Sequence, residues 1–182
     1  MPNCNNLIQA HYSDQDDLDS ALTQGGLALD VLSNAATPLN VEIEFRYTPC
    51  ARVLSVSGEP VRVARGSRQV SRDDGGFLGV LFQRMDHTLC SQRGQQQVIT
   101  PGEITVWHGR QSLDFRMPDR FRKLCLLVPI ERFEGLLPDP DSMSALISKQ
   151  AQICLSYLVP VLALLPITCS RAMKNLATTL WR

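Results

Sequence analysis

The sequence has no excess charge of either sign and few aromatic side chains. Its 182 residues carry 18 Lys and Arg against 18 Asp and Glu, and aromatic residues make up 6% of the chain. Nucleic-acid binding draws much of its affinity from a surplus of basic side chains that displaces counterions. The balance argues against a general nucleic-acid binder. Arg62, Arg65, Arg68 and Arg72 are close in sequence, and we expect them on a sheet edge or a solvated face.

Paired metal ligands are also missing from the sequence. The six cysteines contain no CxxC pair, and the three histidines, His11, His87 and His108, are far apart. A metal-dependent barrel enzyme needs ligands that converge on one ion, such as a His-x-His pair on one strand. Phosphate-binding glycine loops and a nucleophile elbow do not occur either. We therefore predict no catalytic residue, no metal, no cofactor and free thiols in a reducing cytoplasm.

The sequence has no uninterrupted hydrophobic run long enough for a membrane span. The apolar stretch 153–169 is slightly short and contains Pro160 and Pro166, so we predict a buried or interface helix. The N-terminus is polar, unlike a signal peptide. The expectation is a cytoplasmic protein that does not contact membranes.

What the sequence does contain is a succession of short strand patterns. Residues 41–47 alternate strictly between apolar and polar side chains, which predicts a half-buried strand. Further runs follow as far as residue 128, and many short strands at regular spacing predict an all-β barrel or sandwich. One of the runs, at 68–72, is predicted as a short strand. Before the strands, Ser13 is predicted to cap a helix that ends at about residue 24.

The character of the chain changes after the last predicted strand. Pro129 is expected to open a short helix to about residue 136. From residue 143 to about 164 the apolar residues recur at three- and four-residue spacing, which predicts a helix kinked at Pro160. A last helix is expected over 171–181. The apolar stripe that we predict as a dimer interface, or alternatively as a face packed on the chain's own barrel, consists of Leu155, Leu158, Val159 and Leu162.

Polar-tipped side chains are predicted to point into the barrel. Parity places His108 with Ile104 and Val106 on an interior face, and places Tyr47 and Arg65 with the apolar residues of their own strands. Arg65 is the candidate carboxylate anchor, because a guanidinium pairs with a carboxylate through two hydrogen bonds. His108 and Tyr47 would bind the rest of the ligand. The alternatives are a satisfied core histidine at 108 and an Arg65 that reaches out to solvent.

Trp107 is a fourth ligand-binding candidate. Its place in the strand turns it toward the opposite face, under the helices, unless a bulge shifts the register.

Five segments in order resemble the effector-binding domain of the AraC/XylS family of transcription regulators. They read VRVAR at 61–65, FLGVLFQ at 77–83, QRGQ at 92–95, ITPGEI at 99–104 and FRKLCLLVP at 121–129. The family has a Pro-Gly-Asp type of turn where this chain has Pro-Gly-Glu. The resemblance covers roughly residues 13–165.

This resemblance implies a mainly β chain with some α: a cupin-like β barrel followed by C-terminal helices. Residues 1–137 would be the effector-binding barrel with its N-terminal helix, and residues 138–182 the helical dimerisation region. The implied partners are a small-molecule effector, with an organic acid as the candidate class, and a second copy of the chain. DNA would be contacted only through a C-terminal domain of two helix-turn-helix units, which is absent from this sequence.

The resemblance therefore implies a sensor and not an enzyme. Two alternatives stay open. A cupin-type enzyme is disfavoured by the missing metal motif. A pure dimerisation module without an effector would have its barrel filled by side chains, so a measured internal cavity distinguishes it from a sensor.

Overall fold

The computed structural model describes residues 7–32, 38–48, 51–73, 76–133 and 146–148. These residues form twelve strands, the helices α1 (Gln15–Gln24) and α2 (Ser67–Arg72), and a 3-10 turn, Ile130–Phe133. No helix among them is long and apolar enough to cross a lipid bilayer. The strands, in chain order, are β1 (Leu7–Tyr12), β2 (Asp30–Leu32), β3 (Val41–Tyr47), β4 (Arg52–Gly58), β5 (Val61–Arg65), β6 (Phe77–Met85), β7 (Thr88–Gln92), β8 (Gln95–Ile99), β9 (Ile104–His108), β10 (Leu113–Met117), β11 (Phe121–Pro129) and β12 (Leu146–Ser148).

The strands form two antiparallel sheets. The larger sheet has the order β1-β3-β4-β11-β6-β9-β12 and the smaller sheet the order β2-β5-β10-β7-β8. Strand β11 lies between β4 and β6 and is hydrogen-bonded to both in antiparallel register. The prediction of a mainly β chain is confirmed, and the predicted strands at 41–47 and 77–85 have the bounds that their patterns indicated.

One apolar core, the inner core, fills the space between the two sheets. It includes Leu18 and Leu22 of α1, Ile43, Leu54, Leu81, Trp107 and Leu127 of the larger sheet, and Val31, Val63, Phe115 and Met117 of the smaller sheet. Since side chains alternate along a strand, the residues between these positions point to the opposite faces of the sheets.

A second apolar core, the outer core, lies on the other face of the larger sheet. It includes Val53, Leu78, Val80, Ile104, Val106, Leu124, Leu126, Val128, Ile130 and Phe133. Strands β6, β9 and β11 are therefore buried on both faces. Burial on both faces explains why their sequences are almost continuously apolar where β3 alternates.

Helix α1 packs Leu18 and Leu22 onto the inner core. The predicted helix is confirmed, but its cap is Asp14 and not Ser13. The Asp14 carboxylate accepts hydrogen bonds from the backbone N–H groups of Asp16 at 2.9 Å and Asp17 at 3.1 Å. These bonds satisfy two of the donors that the first turn of a helix leaves unpaired.

The strand predicted at 68–72 is wrong, because these residues belong to α2. The backbone N–H of Gly66 donates to Gln69 Oε1 at 3.0 Å, and the backbone N–H of Val70 donates to the Gly66 carbonyl at 3.0 Å. A five-residue run is too short for its apolar pattern to separate a strand from one helical turn. The hydrogen bonds at Gly66 stabilise the helical conformation.

The helix predicted from residue 143 is wrong over Leu146–Ser148, which form strand β12. These residues pair in antiparallel register with Ile104–Val106 of β9, so backbone pairing with a neighbouring strand outweighs helical periodicity there. The short helix predicted after Pro129 is a 3-10 turn over Ile130–Phe133. The dimer stripe at 155–162, the helix at 171–181 and the domain boundary at 137/138 lie outside the described residues.

Candidate functional site

A small cavity remains inside the inner core. Its volume is about 50 Å³, which is room for one or two water molecules, since each occupies about 30 Å³ in the liquid. Almost all of its wall is apolar. The lining includes Leu18, Leu22, Val56, Leu81, Trp107, Phe115, Met117, Phe121, Lys123 and Cys125.

Lys123 brings a primary amine into the wall of this cavity. The residue lies on the inner face of β11 and is 6% exposed. Its Nζ donates to Met117 Sδ at 3.1 Å and lies 4.9 and 5.2 Å from the ring centroids of Phe115 and Phe121. No carboxylate among the described residues forms an ion pair with it. The amine therefore has a thioether and two aromatic faces as partners, all of which are weak.

Burial changes the acid–base properties of this part of the core. Burial lowers the pKa of Lys123 from 10.5 to about 8, against a smaller upward effect of the nearby Cys125 and Cys90. Burial also raises the pKa of each of these two thiols to about 12. At pH 7 the thiols are protonated, and about a tenth of the amine is neutral. A neutral, desolvated lysine is the form that acts as a nucleophile.

Trp107 lies on the inner face of β9, and the prediction that it faces the other way is wrong. Its ring contacts Phe77 and Phe115 edge-on, with centroids 5.4 and 6.0 Å apart. A Cβ at Gly79 would lie 2.0 Å from the indole, so the glycine makes room for the ring. Among the described residues the Nε1–H finds no oxygen or nitrogen acceptor, and the Cys125 sulfur offers it only a weak contact.

The error has a physical reason in strand β9. Ile104 and Val106, which parity placed in the interior, belong to the outer core. Apolar alternation identifies the buried face of a strand only when the other face is solvated. All five residues of β9 are buried, so the pattern could not tell the two cores apart.

Arg65 is buried but does not line the cavity. Its Nε donates to the Gly109 carbonyl at 2.8 Å, and Nη1 donates to the Ala28 carbonyl at 2.7 Å. Nη1 and Nη2 both bind the carboxylate of Asp73. The two-pronged pairing that we expected Arg65 to offer a ligand is thus made with Asp73, while its role in binding a ligand stays a prediction.

His108 and Tyr47 do not line the cavity either. His108 is on the face of Val106, and its Nδ1 accepts from the backbone N–H of Arg110 at 3.1 Å. The Gln92 side chain of β7 donates to the His108 carbonyl at 3.2 Å and accepts from its N–H at 3.1 Å, which ties the two sheets together. Tyr47 is half-buried and stacks on Phe45. Their roles in binding a ligand stay predictions.

Lys123 is not among the site residues that we predicted from the sequence, although a signal was present. The chain has three lysines, at 123, 149 and 174, so Lys123 is the only lysine in its first 148 residues. It occupies an inner position of β11, between Phe121 and Cys125. In the sequence Lys123 stands next to Arg122, which is typical of a solvated strand end. The pairing of β11 with both β4 and β6 shows instead that this position is interior.

Two other features are weaker candidates. Asp86, His87 and Asp119 bring potential metal ligands within 4.8 Å of one another, a convergence that their sequence spacing did not predict. All three are exposed or half-exposed, and His87 Nδ1 is bound to Asp86 Oδ1 at 2.7 Å. A surface groove of about 610 Å³ is lined in part by Arg62 and Asp114, which already pair with each other. Both features lie at the surface.

Comparisons with known proteins give a likeness in fold. No protein-family model and no curated protein sequence matches the chain. Among solved structures it is similar to the AraC-like transcriptional activator CuxR, with a TM-score of 0.70 and 12% identity over 95% of this chain. The chain spans 66% of that protein's length.

Two partial likenesses are the EutQ protein of Clostridium difficile and an RmlC-like cupin from Shewanella frigidimarina. EutQ has 12% identity and a TM-score of 0.42, with 54% of this chain and 76% of that chain covered. The cupin has 8% identity and a TM-score of 0.41, with 49% and 76% covered. Both overlaps are too partial to support an argument. The likeness to CuxR confirms, at the level of the fold, the resemblance to AraC-like regulators that the sequence indicated.

Proposed function

We propose that this chain is the ligand-sensing domain of an AraC-type transcription regulator and that it binds a small organic effector between its two sheets. The observation that carries the proposal is the likeness to an AraC-like activator over 95% of the chain. The cavity in the inner core gives the effector a location. In this proposal the chain has no catalytic role, acts in the cytoplasm and controls an attached DNA-binding domain.

The cavity sets the size and polarity of the effector. About 50 Å³ is roughly a third of a cavity that takes benzene, so a ligand of about two heavy atoms fits without rearrangement and one of three or four displaces the wall. Apolar walls favour an effector that buries hydrocarbon surface. Leu18 and Leu22 of α1 line the cavity. If α1 has more than one position, an effector that binds better with α1 in one of them increases the population of that position.

A screen by thermal denaturation with small metabolites tests whether the cavity is used. An effector at a hundred times its Kd stabilises the folded chain by about 2.7 kcal/mol, which raises the Tm by several degrees. Val56→Leu places an extra methylene in the cavity wall, opposite Lys123 in the paired strand. The matched control is Val53→Leu, which makes the same change in the outer core.

We expect the effector to lose its stabilising effect with Val56→Leu and to keep it with Val53→Leu. A screen in which no metabolite raises the Tm would favour the pure dimerisation module. A ligand that stabilises both variants as it does the parent would place the site elsewhere.

Dimerisation is the second part of the proposal. It rests on the apolar stripe of residues 138–182, which contains Leu155, Leu158 and Leu162. Leu158→Glu is expected to lower the molar mass in sedimentation equilibrium while the β signal in circular dichroism stays unchanged. A variant that keeps the oligomeric state of the parent, or that unfolds, would contradict this interface.

A further inference from the structure

We propose that the Lys123 amine is the recognition group of the cavity and that it binds a small aliphatic aldehyde as a Schiff base. The inference rests on the proposed function, since it names the class of effector. It stands on the position of Nζ, which lies in an apolar cavity wall beside Met117, Phe115 and Phe121 and forms no ion pair with a described carboxylate.

The surroundings of Nζ favour a neutral nitrogen. A buried ammonium ion without a counter-charge loses its hydration and regains little of that free energy. The two aromatic faces and the Met117 sulfur compensate only in part. A ligand that leaves the nitrogen uncharged, or that converts it into a neutral group, therefore suits this site.

A carboxylate suits it less well. A carboxylate has two oxygens with about four lone pairs to satisfy, and the other side chains that line the cavity are aliphatic, aromatic, thioether or thiol. Most of those lone pairs would stay unpaired, and a second charge would lose its hydration. An aldehyde is neutral and has one acceptor oxygen, which leaves when the Schiff base forms.

The reaction is balanced without an oxidant or a reductant. The lone pair of neutral Nζ attacks the carbonyl carbon, and the carbonyl π electrons move to the oxygen. Transfer of a proton from nitrogen to oxygen gives a carbinolamine. The nitrogen lone pair then expels the hydroxyl group, which leaves as water with the second nitrogen proton. One amine and one aldehyde thus give one imine and one water.

The two thiols near the amine do not compete with it as nucleophiles near neutral pH. The thiolate is the nucleophilic form of cysteine, and burial raises the pKa of Cys125 and Cys90 to about 12. The lowered pKa of Lys123, about 8, leaves part of the amine neutral at the same pH. A lysine of ordinary pKa, about 10.4, is almost fully protonated there.

The test treats the full chain with propanal and cyanoborohydride at pH 7.5, which fixes an imine as a propyl amine. Intact mass and peptide mapping then count and locate the propyl groups. We expect Lys123 to be modified about tenfold faster than Lys149 or Lys174. The α-amino group, whose ordinary pKa is about 8, is the reference for amine reactivity. Benzaldehyde is larger than benzene, which occupies a cavity of roughly 150 Å³, so it should modify the α-amino group and not Lys123.

Lys123→Met is expected to remove the fast modification, and Lys149→Met is expected to keep it. If Lys123→Met fails to fold, the parent chain in urea provides the second measurement, because unfolding should abolish the preference for Lys123. A preference that survives in urea, or equal rates at the three lysines of the folded chain, would overturn the inference.

Further outcomes separate this inference from the proposed function. Stabilisation by propionate that requires Lys123, without modification by propanal, would make the amine a charge partner and overturn the Schiff base. A metabolite that binds Lys123→Met as tightly as the parent would also overturn it while the sensor function stands. Fast modification of Lys123 in a chain that no metabolite stabilises would uphold the reactive amine and contradict the sensor.

Discussion

The two faces of the larger sheet differ in what they bury. The outer core is built from aliphatic side chains and phenyl rings. The inner core adds an indole and two thiols, and it contains the cavity with the amine of Lys123. A close-packed apolar core stabilises a fold but offers a ligand neither space nor a polar partner. The reactive amine of Lys123 therefore lies on the inner face, where packing leaves a cavity.

The nine residues of strand β11 contribute to both cores. Leu124 and Leu126 point to the outer core, while Lys123 and Cys125 point between the sheets. A shift of register by one residue would exchange the two sets. The pairing of β11 with both β4 and β6 therefore determines which core receives the amine.

Removal of Arg65 should have the largest effect on the inner face. Arg65→Met leaves Asp73 and the carbonyls of Ala28 and Gly109 without this partner, which should cost about 4 kcal/mol. Chemical denaturation measures this loss. Arg62→Met is the control, because the Arg62–Asp114 pair is exposed and should contribute little. Equal effects of the two variants would mean that the buried ion pair does not hold the fold together.

Truncation on either face of β11 tests whether both cores are real. Leu126 and Leu127 are adjacent, and both are at most 2% exposed, one in each core. Leu126→Ala and Leu127→Ala should each lower the free energy of unfolding by about 3 kcal/mol. A loss well below 1 kcal/mol for Leu126→Ala alone would show that the outer face is not buried in solution.

Much of this architecture could be predicted from the sequence, and the failures have physical causes. The alternation of β3 and the turn at Gly102 are local signals, and the strand bounds follow them. The face of Trp107 depends on which core each side of β9 meets, and no local pattern carries that information. The pairing of Arg65 with Asp73 and the burial of Lys123 depend on contacts that form only in the folded chain. The residues next to each position in the sequence do not indicate these contacts.

The pH dependence of stability separates Lys123 from the rest of the inner core. Its folded pKa, about 8, is below the unfolded value of 10.5, so the folded chain loses this proton first and stability rises from about pH 8 to 10.5. Between pH 7.5 and 9 the parent should gain about 1 kcal/mol relative to Lys123→Met. The buried thiols, whose raised pKa favours the opposite trend, are common to both proteins and cancel. A constant difference between the two proteins would mean that Lys123 is hydrated.

Removal of the cap of α1, at the edge of the inner core, should have the smallest effect on the free energy of unfolding. Asp14→Ala removes the acceptor for two backbone N–H groups and should cost about 0.5–1 kcal/mol. Ser13→Ala, at the position that the sequence favoured as the cap, should leave the unfolding free energy unchanged. The opposite ranking in thermal denaturation would restore Ser13 as the cap.

We expect a ligand to enter the inner core and to leave the outer core undisturbed. Methyl-resolved NMR of the full chain during a titration with propanal tests it most directly, since leucine and valine methyl groups report on both faces of one sheet. The methyl signals of Val56, Leu81 and Leu127 should shift, and those of Val53, Val80 and Leu126 should not. Shifts confined to the outer set, or no shift at either set at saturating propanal, would mean that the ligand does not enter the inner core.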